Sequence, residues 1–314
     1  LRGAVIAAPA IAAGLMSMLG WAGSYAVIAL LLAVVGLNSA VFHAVAPPLV
    51  GRLAGSRLGR GMAFFMVGGE LGRTLGPLIV ASTLALISLR GMAVLMVIGF
   101  AASAVLYRQL RHADLRPPTV GERLPWRVGL RRMGPAMTVL AGLVFSRSFA
   151  MVAVGVYLPI FLTNEGSSLW IAGASLSLLE GAGVAGALTG GWVSDRIGRR
   201  PVLAFGHIGA PLLLVAFLVS AGWVRVPLLI LLGFVLLSIQ PVNLALAQEV
   251  AAPESRAFAN GVYLSISFGI RMVATAVFGV LADVFGLDTA FTVGAVLMLG
   301  GAALVPLIPS RRAQ

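Results

Sequence analysis

Apolar residues run along this chain in blocks of roughly eighteen to thirty, separated by short polar stops, with little of the strand-like alternation of apolar and polar positions. Blocks of that length outrun ordinary strands. At 1.5 Å per residue, about 20 apolar residues carry a helix across the hydrocarbon of a bilayer. A helix is required there because hydrocarbon offers no partner to an unpaired backbone amide. Ten runs fit, at 3–20, 25–50, 61–88, 91–108, 134–163, 168–193, 202–221, 226–248, 257–285 and 289–308. The pattern therefore predicts an all-α membrane protein with ten spans. Several runs exceed the minimum, which allows tilt or extension beyond the membrane.

Composition agrees: 60% of the residues are apolar, 10% are charged and the mean hydropathy is +1.03. A soluble domain carries about a quarter charged residues. The net charge of +12 comes from arginine alone, since all 22 basic residues are arginine. Seventeen of them fall in alternate loops or at the chain ends: Arg2, Arg52, Arg57, Arg60, seven from Arg108 to Arg132, Arg196, Arg199, Arg200, Arg256, Arg311 and Arg312. The opposite loops hold only Arg90 and Arg225. That asymmetry places the arginine-rich loops and the C-terminus in the cytoplasm. It also argues against a nucleic-acid partner, which needs the charge gathered on one surface. With no cysteine, disulfides, thiolate catalysis and cysteine-bound metals are excluded.

The stretch Tyr107–Met133, with Pro117, Pro118 and Pro125, is the one long polar segment. It predicts three parts: an incomplete bundle of four spans over 1–107, a basic cytoplasmic linker over 108–133, and a six-helix bundle over 134–314. The halves echo each other at an offset of 200, where Gly61 and Gly69 meet Gly261 and Gly269, and Arg2 falls within two residues of Arg200. The offset predicts two further spans of the first half ahead of Leu1.

Gly190–Arg200 reads GGWVSDRIGRR between two apolar runs, with Pro201 next. In that setting it resembles the signature loop of the major facilitator superfamily of secondary transporters. Finer features are Phe42-His43, Pro47, Arg60-Gly61 and GGELGRTLGP over Gly68–Pro77. These resemble the fosmidomycin-resistance group, in which a Phe-His-Pro motif precedes a glycine-rich span; Ala44 stands where that group has proline. Arg147, Tyr157-Leu158-Pro159, Ala172-Gly173, Gly190-Gly191 and Asp195-Arg196 continue the likeness. The resemblance implies a major facilitator fold with ten of twelve transmembrane helices present in two bundles. It further implies a proton-driven, monomeric drug exporter of the inner membrane, without metal or cofactor, whose partners are protons, a small molecule and lipids.

Three groups of residues can carry chemistry. In the signature loop, Gly191 and Gly198 serve packing and turn, and Asp195 can engage an arginine or a helix N-terminus. Arg196, Arg199 and Arg200 suit anionic headgroups. The resemblance implies that Asp195 latches one half against the other, opposite Arg60 and Gly61; a plain topology anchor is the alternative. Gly68, Gly72 and Gly76 recur every four residues before Pro77, which fits close helix packing; the run also resembles the glycine-proline motif of antiporters, which implies a span that closes the cavity against proton leak. Gly181, Gly183 and Gly186 match a dinucleotide-type spacing, but no strand precedes them, so a small helix face is expected.

Inside the spans lie Glu70, Arg73, Arg147, Glu180 and Arg271, with His43 beside them. Ionisable residues at membrane depth cost a few kcal/mol and usually pair or face a cavity. Glu70 and Arg73 are three apart and can pair; Arg147 and Glu180 sit at similar depth and can do the same. A carboxylate balanced between desolvation and a nearby arginine can exchange a proton across the membrane. Glu70 is the first candidate, Glu180 the second and His43 the third. Arg73, Arg147 and Arg271 suit an anionic substrate, which guanidinium grips in a bidentate way. Static ion pairs locking the helices are the competing account. His207 and His112 are expected to be structural or solvated.

The sum predicts a proton-coupled antiporter that exports a small anionic compound by alternating access. A proton-coupled uptake symporter for an organic anion is the alternative, as is a truncated, non-transporting membrane protein. An intramembrane enzyme would need a carboxylate cluster or a nucleophile with its base, and ten acids scattered singly offer neither. ATP-driven pumping is excluded, because a chain without lysine cannot contain the phosphate loop.

Overall fold

The computed structural model describes residues 2–54, 58–111, 126–250 and 256–308, and every regular element among them is helical. Two compact units emerge, Leu1–Thr119 and Val120–Gln314. In the first, α1 (Arg2–Ser17) ends in a 3-10 turn, α2 covers Tyr25–Ala54, α3 covers Leu58–Leu86, and α4 (Met96–Leu110) follows a 3-10 stretch from Arg90. In the second, α5 (Trp126–Val152) passes through a π-helical segment, Ala153–Tyr157, into α6 (Leu158–Asn164). Then come α7 (Leu169–Ile197), α8 (Arg199–Val219), α9 (Arg225–Glu249), α10 (Arg256–Phe285) and α11 (Leu287–Gly301).

Among the described residues, nine helices are long and apolar enough to cross a membrane. They coincide with nine of the ten runs read from the sequence. The tenth run is α3, a full-length helix whose Glu70, Arg73 and glycines dilute its hydropathy. The repeat suggested by the glycine offset reappears as packing. In the first unit α1 packs on α2 and α4, and α2 on α3. In the second, α8 packs on α9 and α11, and α9 on α10.

Two local expectations change. The signature stretch is less a loop than a single residue: α7 stays helical through Asp195 and Arg196, and α8 begins at Arg199. Gly198 alone makes the corner, at φ +96° and ψ 164°, a conformation almost closed to other residues. Pro201 then falls in the first turn of α8, where its missing N–H costs nothing. The polar stretch read as linker is likewise partly helical, since α4 reaches Leu110 and α5 starts at Trp126.

Of the two glycine stripes read as packing faces, the described residues show close packing at one. Among the described residues, no neighbouring group comes within 4 Å of a Cβ built on Gly68, Gly72 or Gly76, so the glycine stripe of α3 is not packed by a helix of its own unit. The tight seam joins α7 to α9 instead. A Cβ on Gly186 would collide with the backbone of Phe234, one on Gly190 with Ser238, and one on Gly183 with the Leu237 side chain. From the facing helix, Gly233 meets the backbone of Leu179 in the same way. Small residues on both sides let the backbones touch, which is how helices gain dispersion energy where lipid removes the hydrophobic incentive.

Candidate functional site

Arg147 lies in α5 with only 8% of its surface exposed. Its Nε donates to the Leu236 carbonyl at 3.3 Å and its Nη2 to Gln240 Oε1 at 3.4 Å, with Met151 Sδ also at 3.4 Å. The receiving turn of α9 precedes Pro241, whose missing N–H leaves the Leu237 carbonyl without its usual donor and loosens the turn. Arg271 of α10 opens onto the same cavity, of about 140 Å³, whose lining includes Ser148, Gln240, Tyr263 and Ser267. Two guanidinium forks and neutral hydrogen-bonding groups thus converge on one small space, an arrangement suited to an oxyanion.

Glu180, the second acid candidate, is buried in α7 at 9% exposure, one turn before Gly183 of the seam, and lies outside the lining of that cavity. In the first unit, Arg73 Nη1 donates to Glu70 Oε1 at 3.3 Å, the pairing their spacing allows; the side chains are 39% and 27% exposed. His43 is exposed, its ring edge-on to Phe42 with centroids 5.7 Å apart. Helix α2 continues through His43 and Ala44 without a break.

At the arginine-rich end of the second unit, Arg199 is a hub. It pairs with Asp195 Oδ1 at 2.6 Å and with Glu249 Oε1 at 2.7 Å. Arg200 donates to the Ile308 carbonyl, and the Arg196 guanidinium lies over the Trp192 ring, 3.3 Å from its centroid. The ends of α7, α8 and α9 and the last described turn are thereby tied together around a cleft of about 780 Å³. Asp195 itself stays 67% exposed. The side chains of Arg60 and Gly61, its expected partners, lie outside the described residues, as does His112. His207 is fully buried in α8, with Nδ1 2.9 Å from the Leu203 carbonyl, as a structural residue should be.

Sequence reasoning did not single out Glu249, Gln240, Tyr263 or Ser267. Glu249 had a signal, as a lone acid closing an apolar run. The other three are neutral and carry no insertion cost large enough to stand out.

The Major Facilitator Superfamily model matches residues 2–275 and, in a second match, 181–313. The fosmidomycin resistance protein of Escherichia coli K12 is 30% identical over 305 residues, covering 94% of this chain and 73% of that protein. The MFS-type transporter YfnC of Bacillus subtilis is 28% identical over 314 residues, covering 95% and 75%. Among solved structures, a bacterial homolog of the human lysosomal transporter Spinster, inward-facing and occupied, superposes with a TM-score of 0.76 at 14% identity, over 97% of this chain and 81% of that one. The fucose:proton symporter of E. coli gives 0.65 at 16% identity, over 98% and 84%.

Proposed function

Because the chain belongs to the major facilitator superfamily, we propose that it is a proton-coupled antiporter exporting a small anionic compound by alternating access. Membership makes it a multi-pass membrane transporter and not an enzyme. The observation that carries the cargo reading is the meeting of Arg147 and Arg271 on one cavity at mid-helix depth. Arg73 adds a third guanidinium in the first unit. Glu70, already paired with Arg73, is the proton carrier of first choice, ahead of Glu180 and His43. Asp195 and Arg199 belong to the gate, with Gly191 and Gly198 shaping it. The chain sits in the plasma membrane with its C-terminus and central loop in the cytoplasm. Similarity to the fosmidomycin resistance protein supports fosmidomycin as the test cargo.

Cells overproducing the protein are expected to withstand fosmidomycin, and Arg147→Gln and Arg271→Gln to lose that protection at equal expression. In vesicles, an imposed pH gradient drives the flux and Glu70→Gln uncouples it. Full resistance in both arginine variants removes the cargo reading. Gradient-driven accumulation inside intact cells replaces export by uptake symport, and vesicles without any flux leave a non-transporting protein.

A further inference from the structure

The π-helical segment Ala153–Tyr157 interrupts the same rod that carries Arg147. Its cause is in the sequence. Pro159 has no N–H for the carbonyl of Gly155 four residues earlier, so the regular ladder fails there and the chain widens into a π turn. The widened turn is held from α10: the Tyr157 ring packs on Phe278 with centroids 4.6 Å apart, and a Cβ on Gly279 would come within 2.9 Å of the Tyr157 hydroxyl. Any side chain at 279 would push that hydroxyl from its place.

The consequence falls on Gly155. Eight residues of regular helix would rotate it by roughly 80° from Arg147. The extra residue absorbed by the π turn swings it part of the way back toward the Arg147 and Met151 stripe. There, among the described residues, one group stands within 4 Å of a Cβ built on Gly155: Nη2 of Arg271, at 3.6 Å. A helix face that elsewhere carries side chains is bare at the spot where a guanidinium from α10 rests. Single π turns of this kind recur at functional sites because they re-aim a face without ending a helix.

We propose that Gly155 is a positioning residue, set by the π turn so that Arg271 lies against the backbone of α5 and faces the cavity it shares with Arg147. The role in transport rests on the reading of that cavity as the anion site; the placement does not. Alanine at 155 meets Arg271 at an ordinary contact distance and leaves it in position. Leucine fills the space and turns the guanidinium away.

The 314 residues hold no cysteine, so Arg271→Cys introduces a single thiol among them. Its rate of modification by a negatively charged methanethiosulfonate is expected to fall about tenfold when Gly155→Leu is added, and to change little with Gly155→Ala. Equal rates in all three overturn the placement. Fosmidomycin binding to the purified protein then reads the consequence in a double-mutant cycle, because residues that touch give coupled effects. Gly155→Leu should weaken binding about tenfold when Arg271 is present and hardly at all beside Arg271→Gln, with Gly155→Ala near wild type. Equal losses in both backgrounds mean that Gly155 acts on the fold and overturn the positioning role. Slowed labelling together with binding indifferent to Arg271→Gln keeps the placement, and it is then the anion site that fails.

Discussion

Arg199 shows at the residue scale how far spacing alone could go. The run Asp195-Arg196-x-Gly198-Arg199-Arg200 announced an acid among arginines at a helix end, and the Asp195–Arg199 pair follows from a spacing of four across the corner. The stronger partner, Glu249, lies fifty residues away at the end of α9, and its side chain is 24% exposed against 67% for Asp195. A pair as open as Asp195–Arg199 contributes within about 1 kcal/mol, whereas a more buried acid stripped of its partner loses more. Asp195→Asn should therefore leave the thermal unfolding midpoint in detergent almost unchanged, and Arg199→Ala should lower it by several degrees. The same pair of variants separates gate from anchor. If Asp195 latches a closed state, Asp195→Asn slows fosmidomycin flux at unchanged stability; wild-type flux in that variant leaves only the anchor. Arg147 illustrates the opposite limit. Its depth was visible from its place in an apolar run, but its contacts with Leu236 and Gln240 bridge about ninety residues and depend on how α5 meets α9.

Elements were the most legible level, because length and apolarity alone decide whether a helix spans. The runs of the second half match α5 through α11 to within a few residues except at the start of α5, which begins at Trp126 and not near 134 because its arginine-rich first turns were read as linker; at α8 the slip, Arg199 to Pro201 read as loop, is three residues. Which helices touch was not legible in the same way. Glycines at 68, 72 and 76 and at 183, 186 and 190 look alike in sequence, yet among the described residues the first set has no close neighbour and the second presses on α9. A repeat of small residues states what a helix could do, and its neighbour decides whether it does so. The two stripes should accordingly respond in opposite ways. Gly186→Ala forces a methyl into the Phe234 backbone and is expected to cost about 1–3 kcal/mol, seen as a lower unfolding midpoint. Gly72→Ala has room and gains helix propensity, up to about 1 kcal/mol, so its midpoint should hold or rise. Proton leak measured in the same Gly72→Ala protein then tests the gating role of the stripe apart from packing. A tight, wild-type seal together with normal flux would remove Gly68, Gly72, Gly76 and Pro77 from the gate.

For the whole molecule, the arginine pattern and the repeated pairing of α1–α4 and α8–α11 point to one topology. The two arginines that break the pattern have local reasons to be where they are. Arg225 is engaged by the Glu165 carboxylate and by the Ser220 carbonyl, and lies 5.5 Å and 5.0 Å from the Phe161 and Phe217 ring centroids. Arg90 sits 5.6 Å from the Trp21 ring centroid, and its carbonyl accepts from the Trp21 indole. An arginine occupied in this way is held by its own helix ends and says little about which side faces the cytoplasm, so the seventeen others decide orientation. The chain's lack of cysteine makes that orientation directly measurable. Single variants Ser167→Cys and Ser220→Cys lie at the α6–α7 and α8–α9 turns, beside Glu165 and Arg225. In intact cells both should react with a membrane-impermeant maleimide. Thr119→Cys, in the arginine-rich central stretch, should react only after the membrane is opened. Were Thr119→Cys labelled from outside and the two serine variants protected, the molecule would be inverted. The Arg199 hub would then stand on the outer face, where the gate proposed for Asp195 closes against the wrong side. Labelling in the expected sense fixes that hub at the cytoplasmic mouth and leaves Arg147 and Arg271 midway between the two sets of turns, where an alternating-access cargo site has to lie.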